Sequence, residues 1–389
     1  MFSCHTANLL KTPRLFTELE LRGLHLKNRI VVSPMCQYMA VDGHVQDWHL
    51  AHYARFALGG PGLSFVEATG VTPDGRITHG CTGIWDDGHV PGLRKIVDLY
   101  KSQGIAVGIQ IGHAGRRASA TRPWDGAQPI PEGGIEAPWQ SIGPSAIAEQ
   151  DGYPEPRGMS QQNILEVVDA FSSATKRALA AGFDTVEIHG AHGYLIHSFF
   201  SPISNLRDDR YGGSLRQRMA FPLMIAEAVR GIWPDDLPVF YRASVVDNVP
   251  GGISIEDTVA LAKELKQRGI DVIDCSSGGM SGPATLSREK LSLGYQVPYA
   301  ERIKSDAQIK TMAVGLIIKP EQAEGILDKQ QADLIAIARE MIANPNWAYH
   351  AALRLGLDNP HDVLPPSYSL HLQRRSEIFR DDPNTGNEI

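Results

Sequence analysis

Two histidines and a tyrosine directly after a short apolar run are the most informative part of this sequence. The run Phe183–Ile188 has the composition of a buried strand, and His189, His192 and Tyr194 follow it at once. Two intervening glycines allow the backbone to turn between these side chains. Parallel α/β folds place their active sites at the carboxyl ends of strands. We therefore expect the three side chains to converge on a ligand.

The paired imidazoles are compatible with two kinds of chemistry. Neutral histidines ligate metals, but a metal site needs a third strong ligand, and His197 lies on a following helical stretch. Alternatively, His189 and His192 hold a carbonyl oxygen and stabilise the negative charge that develops on it. The hydroxyl of Tyr194 then suits a general acid. We favour this second interpretation over a metal site and over two interior histidines with a structural role.

The composition describes a soluble globular protein with a large core. Of the 389 residues, 42% are hydrophobic and 21% are charged, and the net charge is −7. No basic run predicts a nucleic-acid surface, and no apolar stretch approaches the roughly 18 residues of a membrane span. Cys4, Cys36, Cys81 and Cys275 are widely spaced, which indicates neither an iron–sulfur cluster nor a disulfide framework. With no signal-peptide pattern at the N-terminus, we expect a cytoplasmic protein.

Eight short apolar runs alternate with helical patterns, which predicts a (β/α)8 barrel rather than an open sheet. The predicted strands are Arg29–Ser33, Leu63–Ala68, Ala106–Ile111, Thr185–His189, Pro238–Ala243, Val272–Ser276, Thr311–Gly315 and Leu334–Ala338. Their nearly continuous apolar character is typical of strands buried on both faces. Helical patterns cover Gln161–Ala181, Leu215–Ile232 and Ile255–Arg268, and Ser254 with Asp257 resembles a capping box before the last of them.

A long connection, about residues 114–160, follows the third predicted strand. It is rich in Gly, Pro and Ala and contains Trp124 and Trp139. Long connections in compact domains are usually functional, so we expect a cap over the site rather than a decorative insertion. We expect residues 1–375 to form a single domain and the polar tail, residues 376–389, to be disordered.

Small residues, two arginines and one amide lie at the ends of the other predicted strands. They are Ser33, Pro34, Met35, Cys36 and Tyr38 after the first strand, Ala68 and Gln110 on the second and third, Arg242 on the fifth, Gly278 after the sixth, and Gly315, Ala338 and Arg339 on the last two. Barrel phosphate sites use the loops after strands seven and eight. The pattern therefore predicts a site for a flat polar heterocycle that carries a phosphate. For Arg339 alone, a surface ion pair beside Glu340 is the alternative, and for Cys36 it is simple packing.

Four segments together resemble the Old Yellow Enzyme family of FMN-dependent ene-reductases, over residues 14–356. The segments are Ser33–Tyr38, Glu67–Thr78, Gln110–Arg117 and Glu187–Gly213. The pairs Cys36/Tyr38 and His189/His192 are similar to those of its thermophilic-like bacterial subgroup. The resemblance implies an α/β barrel with FMN at its carboxyl mouth, NADPH or NADH as the reductant, an activated alkene as the substrate, and a homo-oligomer, either a dimer or a tetramer.

The resemblance also implies a role for each residue of the site. The flavin would be bound by Ala68, Gln110 and Arg242, with Ser33, Pro34 and Met35 along its edge, and its phosphate by Gly315 and Arg339 together with Gly278 and the Ala338 amide. The reaction would use Cys36 to tune the flavin, His189 and His192 to bind the substrate's carbonyl or nitro oxygen, Tyr38 to assist and Tyr194 to donate a proton. Relatives usually have glycine where this chain has Ala338, but a backbone amide remains there.

Three other functions stay open at this point. A metal-dependent barrel hydrolase would use His189 and His192, and a dienoyl-CoA-type reductase would add an iron–sulfur cluster and further domains. A flavin-binding barrel without redox turnover is the third. Arg116 and Arg117 are candidates for recognising the 2′-phosphate of NADPH, although we favour a solvated basic pair at these positions.

Overall fold

A closed barrel of eight parallel strands forms the centre of the computed structural model, which describes residues 12–281 and 291–379. The strands are β1 (Ile30–Val32), β2 (Leu63–Gly70), β3 (Ala106–Gly112), β4 (Thr185–Gly190), β5 (Val239–Ser244), β6 (Val272–Ser276), β7 (Lys310–Ala313) and β8 (Leu334–Ile337). Each strand pairs with the next in sequence, and β8 closes the barrel against β1. The predicted (β/α)8 barrel is confirmed, with all eight strands where the apolar runs indicated them.

Helices connect the strands and cover the outside of the barrel. They are α1 (Asp47–Ala57), α2 (Val90–Ser102), α3 (Gln161–Ala181), α4 (Leu195–Phe200), α5 (Leu215–Arg218), α6 (Ala220–Arg230), α7 (Ile255–Gln267), α8 (Val297–Ala307), α9 (Pro320–Asp328), α10 (Arg339–Ala343), α11 (Trp347–Arg354) and α12 (Pro366–Phe379). Ser254 caps α7 by accepting a hydrogen bond from the Asp257 amide, which confirms the predicted capping box. Among the described residues, no helix is both long and apolar enough to cross a membrane.

The helical pattern predicted over Leu215–Ile232 is divided in two in the structure. The structure has two helices there, α5 and α6, which meet at Met219. Pro222 has no N–H to donate to the carbonyl of Arg218, so the regular hydrogen-bond ladder is interrupted at this point. The guanidinium of Arg218 bonds instead to the carbonyls of Phe200 and Gly213, at the end of the segment that carries the histidines.

Two apolar cores lie on either side of the barrel wall. The outer core packs helices against strands, and the inner core fills the lower half of the barrel. An antiparallel hairpin, Leu19–Leu21 with Leu24–Leu26, lies before β1. Its Leu21 and Leu26 pack with the barrel-interior side chains and close the amino end. Only the carboxyl end is therefore left for a site.

The connection after β3 has little regular structure. Between residues 114 and 160 it contains two short 3-10 turns and one pair of two-residue strands, Ile142–Gly143 with Arg157–Gly158. Trp139 fixes it to the barrel loops by donating a hydrogen bond to the Asp74 carbonyl at 2.9 Å. At the other end of the chain, α12 runs across the boundary expected at residue 375, and the rest of the tail lies outside the described residues.

Candidate active site

A cavity of about 990 Å³ opens at the carboxyl ends of the strands. The sequence-predicted site residues that line it are Ser33, Pro34, Met35, Cys36, Tyr38, Ala68, Gln110, His189, His192, Tyr194, Arg242, Gly315, Ala338 and Arg339. The connection after β3 forms one wall, with Arg117, Glu149 and Tyr153 among its lining residues. The structure thus brings together residues from all eight strand ends, with Ser276 contributed by β6, and from the predicted cap.

His189 and His192 approach each other at the end of β4. Their ring centroids are 5.2 Å apart and the rings are nearly perpendicular. The Nδ1 atom of His189 accepts a hydrogen bond from the Ala191 amide, so its Nε2 carries the proton. His192 has a left-handed backbone (φ 60°), which its amide hydrogen bond to Ser244 Oγ at 2.9 Å helps to hold. The Nε2 atom of His192 lies 2.7 Å from Ser276 Oγ.

Both imidazoles are held in the neutral state. Burial lowers the pKa of His189 and of His192 well below the usual value, and the nearby positive charge of Arg242 lowers both further. Neutral imidazoles keep one N–H donor each and add no permanent charge to the cavity. This pair is therefore suited to holding an oxygen atom on which negative charge develops during a reaction.

Two tyrosines complete the polar part of the cavity. The Tyr194 ring lies 4.8 Å from the His189 ring, centroid to centroid, at the turn that starts α4. Tyr38 comes from the β1 loop, where its backbone is left-handed (φ 56°), and its ring contacts Trp124 of the cap edge-on. Burial is the main cause that raises the pKa of both hydroxyls, so both stay protonated near neutral pH.

A β-bulge in β2 decides how that strand contributes to the cavity. The register with β3 shifts between Val66 and Thr69, so that Glu67 and Ala68 together lie opposite Gln110. The bulge aims Ala68 at the cavity, as bulges beside active sites often do. Glu67 points away from it and accepts a hydrogen bond from the Gln37 amide at 2.8 Å. It thereby fixes the loop between Cys36 and Tyr38.

Three buried carboxyl groups around the cavity were not among the predicted site residues. Glu67, Glu187 and Asp274 are fully buried inside otherwise apolar strands. Glu187 accepts a hydrogen bond from Gln110 Nε2 at 2.7 Å, and Asp274 lies 3.1 Å from the Arg242 guanidinium. A charged residue inside a buried apolar run is itself a sequence signal for such a site, because unpaired charges are rarely buried.

Gly315, Ala338 and Arg339, which were predicted to bind a phosphate, line the far end of the cavity. Gly315 has φ 114°, and an added Cβ would meet Gln296 Nε2 at 2.8 Å, so glycine is required there. Arg339 is exposed at the rim, and no ion pair to it is found within residues 12–281 and 291–379, which argues against the alternative of a pair with Glu340. Gly278 is different: its amide bonds to the Val246 carbonyl, and it is not among the residues that line the cavity.

Arg116 and Arg117 have structural partners, so the expected solvated basic pair is wrong. Arg116 is buried and donates to the Met280 and Ala148 carbonyls. Arg117 pairs with Glu149 at 2.8 Å and donates to the His192 and Gly279 carbonyls. These contacts were invisible in the sequence because the partners lie tens of residues away.

A second buried cluster supports the histidine turn from behind. His197 Nδ1 accepts a hydrogen bond from the Gly193 amide, and its Nε2 lies 2.8 Å from Asp247 Oδ1. The other Asp247 oxygen accepts hydrogen bonds from Ser201 Oγ at 2.6 Å and from the Ile253 amide at 2.9 Å. The serine bonds to the aspartate and not to the histidine, so this is not a nucleophilic triad. The cluster fixes the backbone between His192 and Tyr194.

Replacing Asp247 by alanine is expected to destabilise the protein by about 3 kcal/mol, because at least two buried donors lose their acceptor. Urea unfolding followed by circular dichroism measures this change. Asp74→Ala is the matched control. Asp74 is partly exposed and lies 3.9 Å from His113, so its loss should cost less than about 1 kcal/mol. Equal effects of the two substitutions would show that the Asp247 cluster does not stabilise the turn.

The comparisons with known proteins agree with this geometry. The model of the NADH:flavin oxidoreductase / NADH oxidase family matches residues 14–357. The chain belongs to this family. It is 46% identical over 345 residues to the NADPH dehydrogenase of Geobacillus thermodenitrificans (strain NG80-2), covering 88% of this chain and 95% of that one. It is 43% identical to the NADPH dehydrogenase of Bacillus subtilis (strain 168), covering 90% and 97%.

Solved structures show the same fold. Morphinone reductase superposes with a TM-score of 0.73 at 26% identity, over 93% of this chain and 94% of that one. A 2-naphthoyl-CoA reductase gives a TM-score of 0.79 at 25% identity, but this chain spans only 53% of that longer protein. The resemblance to the Old Yellow Enzyme family is thereby confirmed, and this member of it is an oxidoreductase that uses FMN and NAD(P)H.

The alternative of a metal-dependent hydrolase finds no support in the arrangement of side chains. Within the part of the chain that the structure describes, no three His, Cys, Asp or Glu side chains form a group that could hold a metal ion. The third ligand that His189 and His192 would need is therefore missing there. Their contacts are with a serine hydroxyl and a backbone amide instead.

Proposed function

We propose that this protein is an FMN-dependent ene-reductase that reduces alkenes activated by a carbonyl or nitro group. The observation that carries the proposal is the convergence of two neutral imidazoles and a protonated tyrosine in a cavity already suited to a flavin. That combination supplies donors for an oxygen and a proton for a carbon, which together are what the reduction of a polarised double bond requires.

The residues of the cavity fit FMN in size and chemistry. Pockets for ligands of this size have volumes of roughly 300–1,000 Å³, and the buried hydroxyl of Ser33 has no partner among the described residues. Ala68, Gln110 and Arg242 would hold the ring and ribityl chain, with Ser33, Pro34 and Met35 along one edge. The phosphate would lie against Gly315, the Ala338 amide and Arg339. Gly278 does not line this cavity, so we assign it no contact with the phosphate.

Bound FMN would supply the hydride chemistry that connects NAD(P)H with the β-carbon of the alkene. The chain's own residues prepare the substrate for that transfer. His189 and His192 donate hydrogen bonds to the carbonyl or nitro oxygen and stabilise its developing negative charge. Because both imidazoles stay neutral, they bind this oxygen as dipoles and do not lose a proton to it.

Tyr194 is the proton donor to the α-carbon in this proposal. Its hydroxyl is protonated near neutral pH, and its ring contacts His189, which supports a position beside the oxygen that His189 would bind. Tyr38 approaches from the β1 loop and assists in binding. Cys36 is half-buried, and burial raises the pKa of its thiol well above the usual value, so it acts as a neutral thiol. An influence of Cys36 on the flavin stays a prediction.

The test is the visible absorbance of the purified protein under anaerobic conditions, first reduced with NADPH and then mixed with 2-cyclohexenone. Bleaching of the flavin band followed by its return is the expected result, because hydride enters and leaves in two separate half-reactions. Bleaching without return would contradict alkene reduction and leave a flavin reductase with another oxidant. A protein that stays colourless after the addition of FMN would overturn the cofactor assignment as well.

A further inference from the structure

Two buried carboxyl groups below the cavity have no part in the reaction described so far. Glu187 on β4 and Asp274 on β6 are both fully buried. The strand between them, β5, carries Arg242, which the strand register places beside His189 on one side and Asp274 on the other. The cluster therefore contains two carboxyl groups and one guanidinium, so its net charge depends on whether the carboxyl groups are protonated.

The two acids have different surroundings. The Arg242 guanidinium lies 3.1 Å from Asp274, although without the angle of a hydrogen bond. Glu187 has a hydrogen bond only from the neutral amide of Gln110, and its second oxygen has no partner among the described residues. Asp274 is within ion-pair distance of Arg242, whereas Glu187 forms no ion pair among the described residues. The proton therefore belongs on Glu187 and the negative charge on Asp274, because a buried charge is less costly beside its counter-charge.

The directions of the pKa shifts agree with this assignment. Burial, followed by the negative charge of Asp274, raises the pKa of Glu187 to about 8, although Arg242 and the hydrogen bond from Gln110 oppose the rise. Burial also raises the pKa of Asp274, but Arg242 opposes that effect. The other polar or titratable groups that interact with the cluster include Gln110, the neutral His189 and His192, Tyr295 near Arg242 and Cys275 near Asp274. The remaining strands contribute apolar side chains to the barrel interior: Val31, Phe65, Met312 and Ala336.

We propose that Glu187 and Asp274 tune the reduction potential of the bound flavin through Arg242. The inference rests on the proposed function, which puts the flavin ring against Arg242. A hydride brings two electrons and one proton, so the ring gains one negative charge on reduction. Charge near the ring tunes its electronics. Asp274 weakens the positive field of Arg242, and a protonated Glu187 avoids adding a second negative charge.

This arrangement predicts how the midpoint potential of the bound flavin changes with pH. The negative charge of the reduced ring favours the protonated form of Glu187, so the pKa of this group rises further on reduction. At a pH between the pKa of Glu187 with oxidised flavin and its higher pKa with reduced flavin, reduction of the flavin is therefore accompanied by uptake of one extra proton by Glu187. Two protons are then taken up with the two electrons, one by the flavin and one by Glu187, whereas at lower pH only the flavin takes up a proton. The midpoint potential should fall about twice as steeply with pH above roughly pH 8 as below it.

The experiment is a spectroscopic redox titration of the FMN-loaded protein at several pH values from about 6 to 9.5, for the wild type, Glu187→Gln and Asp274→Asn. Glu187→Gln mimics the neutral acid, so we expect a potential close to wild type at pH 7 and a single slope throughout. Asp274→Asn should raise the potential at pH 7, because Arg242 loses its counter-charge. Asp306→Asn, on the exposed end of α8, removes one charge far from the cavity and should behave as wild type.

Steepening that persists in Glu187→Gln would overturn the assignment of the proton. An unchanged or lowered potential in Asp274→Asn would overturn the role of that residue. If Asp274→Asn does not retain FMN, the pH dependence of the midpoint potential in Glu187→Gln decides alone whether the buried acids tune the flavin. A wild-type protein that is loaded and is reduced by NADPH, but shows one slope, contradicts only this inference. A wild type that binds no FMN contradicts the proposed function as well.

Discussion

Tyr194→Phe is expected to slow alkene reduction by about 10²- to 10⁴-fold, the usual contribution of a general acid. Reduction of the bound flavin by NADPH should be largely unaffected, because that half-reaction needs no proton from a tyrosine. The substitution removes one oxygen and keeps the ring, so the edge contact with His189 is preserved. Stopped-flow absorbance follows the two half-reactions separately.

Tyr38→Phe is the matched control for this substitution. Tyr38 also lines the cavity with a protonated hydroxyl, but it comes from the β1 loop and rests on Trp124 of the cap. We expect a rate loss of less than about tenfold from it, as for the loss of one hydrogen bond. Equal slowing of both half-reactions in Tyr194→Phe, or a larger loss in Tyr38→Phe, would remove Tyr194 from the role of proton donor.

His189→Ala is expected to lower kcat/KM for the alkene by about 10²- to 10³-fold, the typical cost of losing one donor to a developing oxyanion. It should also weaken the binding of phenols, whose oxygen would occupy the same position. His189→Asn keeps an N–H donor and should recover part of the loss. A spectral titration with a phenol and steady-state kinetics with 2-cyclohexenone measure the two effects.

The pH dependence of the same titration gives an independent check. The pKa of His189 and of His192 is lowered by burial and by Arg242, so neither imidazole gains a charge between about pH 6 and 8. Phenol affinity in that range should not change through either histidine. Unchanged phenol affinity in His189→Ala would show that this side chain does not bind the ligand oxygen.

The sequence predicted the fold and the residues at the strand ends well, for a simple physical reason. An apolar run marks a strand buried on both faces, and in a parallel barrel every such run ends at the same mouth. Gln110, His189 and Arg242 could therefore be placed in one site without a structure. Glu187 and Asp274 lie inside the same apolar runs and were overlooked, although a lone acid in such a run is conspicuous.

Other features depend on contacts that sequence spacing does not show. The bulge at Glu67 and Ala68 follows from how β2 pairs with β3, and no local pattern encodes it. Arg117 and Asp247 pair with residues that are distant in the sequence. The sequence therefore indicated a solvated Arg117, and it gave no signal for the role of Asp247. Gly278 was predicted to bind the phosphate because of its position after β6, but its amide donates a hydrogen bond to the Val246 carbonyl.

The contacts of Arg117 limit how freely this enzyme can be remodelled. Its guanidinium pairs with Glu149 of the cap and donates hydrogen bonds to the Gly279 carbonyl after β6 and to the His192 carbonyl of the histidine turn. A cap exchanged for that of a relative without an acid at this position would remove the carboxylate that pairs with a largely buried cation, which is costly. The cap and the turn that carries His192 share this contact, so we expect that directed evolution of the cap has to retain Glu149 or replace Arg117 at the same time.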